Sequence, residues 1–513
     1  MPVDNCLLSV KNLPFGEPAG QAMNTRINRR EVLMLSGAAV GGLTLGGRAS
    51  AWNEMSPPPG LTQKNTLFQS LKPMRPDEPL GEREMRITFM GTSVIERRAQ
   101  QRSSVFVELG NGESFVFDCG SGVVSNYVAM GVPWSRMSKV FLTHLHGDHT
   151  SDLTHVYCFG PQGDRKFPLY VWGPSQSGIP NPTYVAGDPA NPEYFDDGTI
   201  EFCKHFREMN RWHTESQSFV PTRFLDADGD GYDIFATELD WRDGKAAKTW
   251  SSSAGIANPS ESNDDWTAYQ GNGVRISYFP VLHDRNGSIG YRLDWLDEGL
   301  SMIFTGDTKP SWRLVHEAAA GDRPLDVLVS EVVVDPEIWV ERQSGLTEAD
   351  GTSFFAGLKN AQAVQENSHT PQKALGYILK QLQGSQRAPR LAVATHFQAS
   401  DDTIAAAMSD IRSWYGGPVT FATDLMVIRA TRTAVVPYRA VVSDYSWSAR
   451  FARKGDTYPP KYADNRSCNP YAPMAPLKQF DDAVLSDVIA PEAYDPGGWQ
   501  DVNNNGACTD WTP

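Results

Sequence analysis

The chain predicts an α/β fold, and three observations carry that prediction. Short apolar, β-branched runs such as Lys139-Val140-Phe141-Leu142-Thr143 and Arg390-Leu391-Ala392-Val393-Ala394-Thr395 end in turns bearing Gly, Asp or His, and read as buried strands. Helical patterns follow later strands, at 372–382 and 402–415. At 513 residues, 40% hydrophobic and 21% charged, the composition is that of a globular protein able to bury a large core in two or three domains.

The net charge of −15 and pI near 5.2 disfavour nucleic acid as the main partner, because phosphate binding needs clustered Lys and Arg. Six cysteines in this length do not make a disulfide scaffold.

Near the start, Arg29-Arg30 precedes the apolar run 32–45, and Ala49-Ser50-Ala51 follows as a small-residue cleavage site. This reads as an export signal of twin-arginine type, with an ordinary secretory signal or an N-terminal anchor as the alternative. The mature chain is then expected to begin near Trp52 and to be periplasmic or secreted, with Met1 or Met23 as initiator. Residues 52–84, rich in Pro, Gln and charge, read as a linker. No later apolar run is long enough to span a membrane.

The folded part opens with a strand over 85–90 that ends at Gly91-Thr92-Ser93. Two runs, 104–109 and 114–118, joined by Gly110-Asn111-Gly112, form a hairpin that closes on Asp118-Cys119-Gly120-Ser121-Gly122. The next strand opens into His144-Leu145-His146-Gly147-Asp148-His149. In extended backbone, side chains two apart share a face, so His144 and His146 can grip one ion. Asp148 and His149 follow the turn and can face a second. Imidazole with carboxylate suits zinc, or iron or manganese. His155 reads as a packed core histidine.

Residues 181–270 hold 17 Asp/Glu against 7 Lys/Arg. Within them Asp226, Asp228 and Asp230 form half of a calcium loop, with Thr237 where a bidentate Glu is wanted; a polar Asp-Gly turn is the alternative. Nothing fixes a role for His205 or His213. A strand over 274–280 leads to His283, and one over 301–305 to Gly306-Asp307-Thr308. The strand 326–334 carries Glu331, which supports the site or caps the strand. His369 precedes a helix, and the strand 390–397 ends in His396. Beyond about Ala434 the pattern is lost, and outside the cytoplasm Cys468 and Cys508 can pair.

The Thr143-to-His149 run resembles the signature of the metallo-β-lactamase superfamily, and is most similar to its ribonuclease Z branch. His283, Gly306-Asp307-Thr308 and Thr395-His396-Phe397 follow in the family's order, each at a strand end. The resemblance covers roughly residues 85–431. It implies a four-layer αββα metallo-β-lactamase fold with a large acidic insertion (181–270) and a C-terminal extension (432–513). It implies that His144, His146 and His283 hold one ion, that Asp148, His149 and His396 hold another, and that Asp307 bridges them. It implies that Asp118 braces the metal loop from behind, that Asp148 orients or deprotonates water, and that His369 donates a proton to the leaving group. Two zinc ions about 3.5–4 Å apart, or manganese or iron, would share a hydroxide formed near neutral pH.

Class B β-lactamases carry a Cys where this chain has Asp307, which argues against antibiotic hydrolysis. Ribonuclease Z enzymes place a basic tRNA-gripping arm where this chain is acidic. The expected function is therefore an exported dinuclear hydrolase of a small ester, a phosphodiester or aryl sulfate, similar in layout to arylsulfatases of the superfamily. The alternatives are a tRNA 3′ endonuclease, a hydrolase of specialised metabolism similar to those of guanitoxin biosynthesis, and a non-catalytic metal-stabilised binding protein. Dimers are common in the family, so a homodimer is one expected arrangement.

Overall fold

The computed structural model describes residues 71–446 except Glu96, 217–230, Ala246 and Asn263. The export segment, the Asp226/Asp228/Asp230 half-loop, Cys468 and Cys508 lie outside the described residues. No helix among the described residues is long and apolar enough to cross a membrane.

Two sheets form the centre. The first runs β1 (Lys72–Met74), β17 (Val435–Ala440), β16 (Met426–Ala430), β2 (Met85–Gly91), β3 (Ser104–Leu109), β4 (Ser114–Phe117), β5 (Lys139–Phe141), β6 (Leu169–Pro174), β7 (Ile234–Leu239), β8 (Lys248–Ser251). The second runs β15 (Val419–Phe421), β14 (Leu391–Thr395), β13 (Val327–Glu331), β12 (Leu300–Phe304), β11 (Ile289–Trp295), β10 (Val274–Pro280), β9 (Thr267–Gly271). The helices are α1 (Val123–Ala129), α2 (Gly147–Thr150), α3 (Leu153–Phe159), α4 (Thr199–Met209), α5 (Arg211–Ser216), α6 (Trp312–Ala319), α7 (Pro336–Ser344), α8 (Thr352–Ser368), α9 (Gln372–Gly384) and α10 (Asp401–Arg412).

Strand alternation explains the layering. In β3, Val105 and Val107 face the other sheet while Phe106 faces helices. In β12 and β13, Met302, Phe304 and Val329 meet the first sheet, and Ile303 and Leu328 turn to α6 and α9. Both faces of each strand are therefore apolar, which is why these segments read as unbroken hydrophobic runs. The core between the sheets is aromatic, and Phe141 stacks on Trp172 with centroids 4.5 Å apart. The outer face of the first sheet buries Tyr127 of α1, Tyr157 of α3 and Phe206 of α4; that of the second buries Leu375 and Leu379 of α9 and Ile411 of α10. Helix, sheet, sheet, helix is the four-layer order.

Three boundaries differ from the sequence reading. Lys72–Met74, placed in the linker, is a strand parallel to β17. Val435–Ala440, placed in the extension, pairs with β16 and belongs to the same sheet; Pro437 and Arg439 within it had masked the strand pattern. The acidic range 181–270 is not one separate insertion. Ile234–Leu239 lies parallel to β6 with all six residues buried, and Thr267–Gly271 edges the second sheet. Its acidic charge hid a short core strand. His155 is also not a core residue: it is exposed on α3 and stacks on Phe159, centroids 4.6 Å apart.

Candidate metal centre

β10, β12, β13 and β14 point the same way, because β11 lies antiparallel between β10 and β12 and the next pairs are parallel. Their carboxyl ends therefore share one edge. His283 follows β10, Asp307 follows β12, Glu331 ends β13 and His396 follows β14. Across from them β5 delivers His144 and His146, and the one-turn helix α2 carries Asp148 and His149. Each side chain sits where a buried strand stops, so backbone and core fix its position.

The residues form two neighbouring clusters: His144, His146 and His283; and Asp148, His149, Asp307 and His396. In the first, His146 Nδ1 lies 3.0 Å from His144 Nε2 and 3.3 Å from His283 Nε2. In the second, His149 Nε2 and His396 Nε2 each lie 3.5 Å from Asp148 Oδ2 and 3.4 Å from Asp307 Oδ2. Asp307 Oδ2 is also 3.8 Å from His283 Nε2, so one carboxylate oxygen reaches both clusters.

These separations fit a cation. Ligands at about 2.0–2.1 Å from a tetrahedral zinc stand about 3.3–3.4 Å from one another. His149 Nε2 and Asp307 Oδ1 are buried with no hydrogen-bond partner, as donors aimed at an ion would be. In His149 and His283 the opposite ring nitrogen is committed elsewhere. His149 Nδ1 donates to Asp118 Oδ2 at 2.7 Å, and His283 Nδ1 donates to the Ser368 carbonyl at 2.8 Å, leaving each Nε2 lone pair for a ligand bond.

Charge separates the clusters. Burial, then the neighbouring His149, holds His144 well below the usual imidazole range, and burial with His283 lowers His146. Neutral imidazole is the ligand form. In the second cluster burial would push His149 down and Asp307 up. Three carboxylates, Asp307, Asp118 and Asp148, nonetheless hold His149 well above its ordinary value, and His396 and His149 hold Asp307 well below its own. That pocket favours positive charge.

Asp118 stands behind the loop. Its fully buried carboxylate accepts from Thr143 N at 2.8 Å, from Thr143 Oγ1 and from His149 Nδ1, so it ties β5 to α2. Asp118 and His396 both take left-handed backbone, φ 56° and 57°, a costly conformation kept where the surroundings enforce it. Gly306, φ 58°, lies so close to Thr143 that a Cβ would come 2.5 Å from the Thr143 Cβ. No larger residue lets Asp307 approach the His144 loop.

Glu331 supports the site rather than capping its strand. It is buried, accepts from the Thr308 backbone N–H, and accepts from His369 Nδ1 at 2.8 Å. Burial opposes a charged imidazole at His369, but Glu331 raises its pKa to about 9. The His369 ring lies 5.1 Å from that of His283 and 5.7 Å from that of His396. The seven expected ligands, Asp118 and His369 thus share one cleft. His205 is exposed on α4, and His213 on α5 bonds the Cys158 carbonyl of α3; neither is among them. Sequence reasoning missed Arg102, whose Nη1 is 3.9 Å from Asp148 Oδ2, and left the Glu331–His369 pair unjoined. The one signal for Glu331 was an acid at the end of Val327-Leu328-Val329-Ser330.

Residues 97–157 match the model of the Metallo-beta-lactamase superfamily. Ribonuclease BN of Proteus mirabilis is 33% identical over 94 residues, covering 18% of this chain and 31% of its own length. Ribonuclease Z of Methanothermobacter thermautotrophicus is 34% identical over 92 residues, covering 18% and 29%. The chain therefore spans under a third of the length of these curated relatives. Human short-form tRNase Z superposes with a TM-score of 0.40 at 18% identity, over 67% of this chain and 98% of that one.

Proposed function

For a chain that carries a metallo-β-lactamase superfamily domain, we propose a metal-dependent hydrolase with two divalent cations, zinc or otherwise manganese or iron, acting on a small phosphodiester or aryl sulfate. The observation that carries this reading is the single Asp307 oxygen within 3.4–3.8 Å of His149, His396 and His283. A closed structural zinc site needs four ligands and no shared carboxylate.

When bound, the cations supply Lewis acidity, acidifying water and offsetting the negative charge that grows on the group under attack. The chain's own residues do the rest. Asp148, at the mouth side of the second cluster, accepts a proton from the attacking water or orients it. His369, kept protonated by Glu331, donates from Nε2 to the departing oxygen. Asp118 and the Ser368 carbonyl hold His149 and His283 in the tautomer that presents Nε2. The Arg29-Arg30 segment supports a periplasmic or secreted location.

A tRNA 3′ endonuclease is the second reading, favoured by the ribonuclease names of the relatives. The acidic stretch 181–270 weighs against it, since it would repel a phosphate backbone. The test is initial rates of the metal-loaded chain on bis(p-nitrophenyl) phosphate and p-nitrophenyl sulfate, with Asp307→Ala as control and pre-tRNA cleavage alongside. Ester turnover lost in the variant supports the first reading; cleavage of pre-tRNA alone replaces it with the second.

A further inference from the structure

The loop of ligand His283 is clasped to a flap. Arg285, two residues on, donates through Nε to Asp197 at 2.9 Å, adds a second bond through Nη2, and lies over the Phe195 ring at 5.6 Å. Asp197 is itself anchored by Ser177, through N at 2.9 Å and Oγ at 2.7 Å. Gly287 closes the same contact, with the Ser175 carbonyl and Trp241 within 3.4 Å of where its Cβ would stand. The segment held this way, 177–197, is hairpin-like. Asn181 N bonds the Glu193 carbonyl at 2.8 Å, Phe195 N bonds the Ile179 carbonyl at 3.1 Å, and Pro180 bridges Tyr194.

The flap's chemistry is one-sided. It contains no Lys or Arg and four acids, Asp188, Glu193, Asp196 and Asp197. It exposes Tyr184, Val185 and Tyr194, each about half accessible. Leu282, immediately before His283, is 57% exposed, and its carbonyl accepts from Lys309 N at 2.6 Å, joining this loop to that of Asp307. Trp312, three residues past Lys309, is 58% exposed. Large apolar side chains thus stand on the flap, beside His283 on its loop, and at the start of α6 just past the Asp307 loop. Arg285, already neutralised by Asp197, is the cation of the clasp.

The geometry points to the flap 177–197 as the wall that selects the non-reacting part of the substrate, and to an ester whose tail is aromatic or otherwise apolar and uncharged. This rests on the hydrolase reading above for the reacting group. An acidic wall with no cation repels further phosphates, whereas tyrosine and leucine gain by covering an apolar ring. A nucleotide chain is the ligand this wall would reject.

The test measures binding apart from turnover. Dissociation constants of methylphosphonate, phenylphosphonate, 1-naphthylphosphonate and uridine monophosphate are measured on the zinc-loaded full chain, and hydrolysis of bis(p-nitrophenyl) phosphate is followed separately. The wild type is expected to bind the naphthyl compound about 10-fold more tightly than the methyl one, from the apolar area covered, and more tightly than the nucleotide. Tyr184→Ser with Tyr194→Ser is expected to shrink that ratio several-fold. Arg285→Ala, which frees the flap, should shrink it too and open 182–192 to limited proteolysis. Both tyrosines are exposed, so the double variant does not depend on core packing. Equal affinity for methyl and naphthyl compounds, a preference for the nucleotide, or an aryl preference that survives in both variants would overturn the assignment. An aryl preference without turnover removes the hydrolase reading and leaves the wall; turnover without it does the reverse.

Discussion

The two halves of the cleft are built to different electrostatic plans. His144, His146 and His283 are three imidazoles with no carboxylate among them, and burial with neighbouring imidazoles holds His144 and His146 below the usual imidazole range. Asp148, His149, Asp307 and His396 place two carboxylates against two imidazoles, with Asp118 behind. The second half attracts a cation by charge, whereas the first must borrow Asp307 to do so. It follows that the second cluster fills first and more tightly, and that the first depends on the shared carboxylate.

The largest break in that comparison is Asp307→Ala. It removes the shared oxygen and is expected to cut ester turnover by about 10³-fold or more. Bound metal should fall to about one ion or less by elemental analysis. Retention of both ions would mean that the clusters are independent.

Next is His369→Ala, which should leave metal content intact and lower turnover about 10²-fold on an ester with a poor leaving group, less on a p-nitrophenyl ester. The wild-type imidazolium persists below a pKa of about 9, so its acid role is lost as pH rises through about 9. A pH–rate profile shows whether that alkaline limb disappears in the variant. The shift has a stability counterpart of definite sign. A folded-state pKa raised above the unfolded value stabilises fully below about 6.5 and fades as pH climbs to about 9.

Asp118→Asn sharpens the contrast between halves. Its amide must turn an N–H toward Thr143 or His149, both of which already donate to Asp118. A loss of about 10–100-fold in metal affinity is expected, as for other partners of metal-bound histidines. Calorimetric titration should show it chiefly at the tighter site, because His149 belongs there.

The smallest effect lies outside the cleft. Asp424 is buried, accepts from Thr92 Oγ1 at 2.7 Å and Gln101 N at 2.7 Å, and burial raises its pKa to about 7. The folded state binds this proton more tightly than the unfolded one, so the group's contribution to stability falls as pH rises from about 4 to about 7. Thermal melts across that window should show a slope that Asp424→Asn flattens.

Legibility followed sequence distance. His144, His146, Asp148 and His149 are contiguous, so one strand-to-loop transition disclosed them. His283, Asp307 and His396 were legible because each ends an apolar run. Glu331 and His369 lie 38 positions apart and meet only because β13 ends beneath the link between α8 and α9. Helix α8 buries Phe354, Ala361 and the polar Gln365 but exposes Phe355 and Val364, so its apolar residues mark no single face, and it went unread. β7 was hidden by the acids around it, β1 by Lys72 and Pro73, and β17 by Pro437 and Arg439. Local pattern discloses a group held by its neighbours in the chain, whereas a group held across layers needs the fold.

The most direct test is a zinc titration of the metal-free chain, with hydrolysis of bis(p-nitrophenyl) phosphate followed at each addition. The expected result is a first, tighter equivalent with little turnover and a plateau of turnover at about two equivalents, with His283→Ala halting uptake at about one and silent. A plateau at about one equivalent, or two ions bound with no ester turned over, would contradict it.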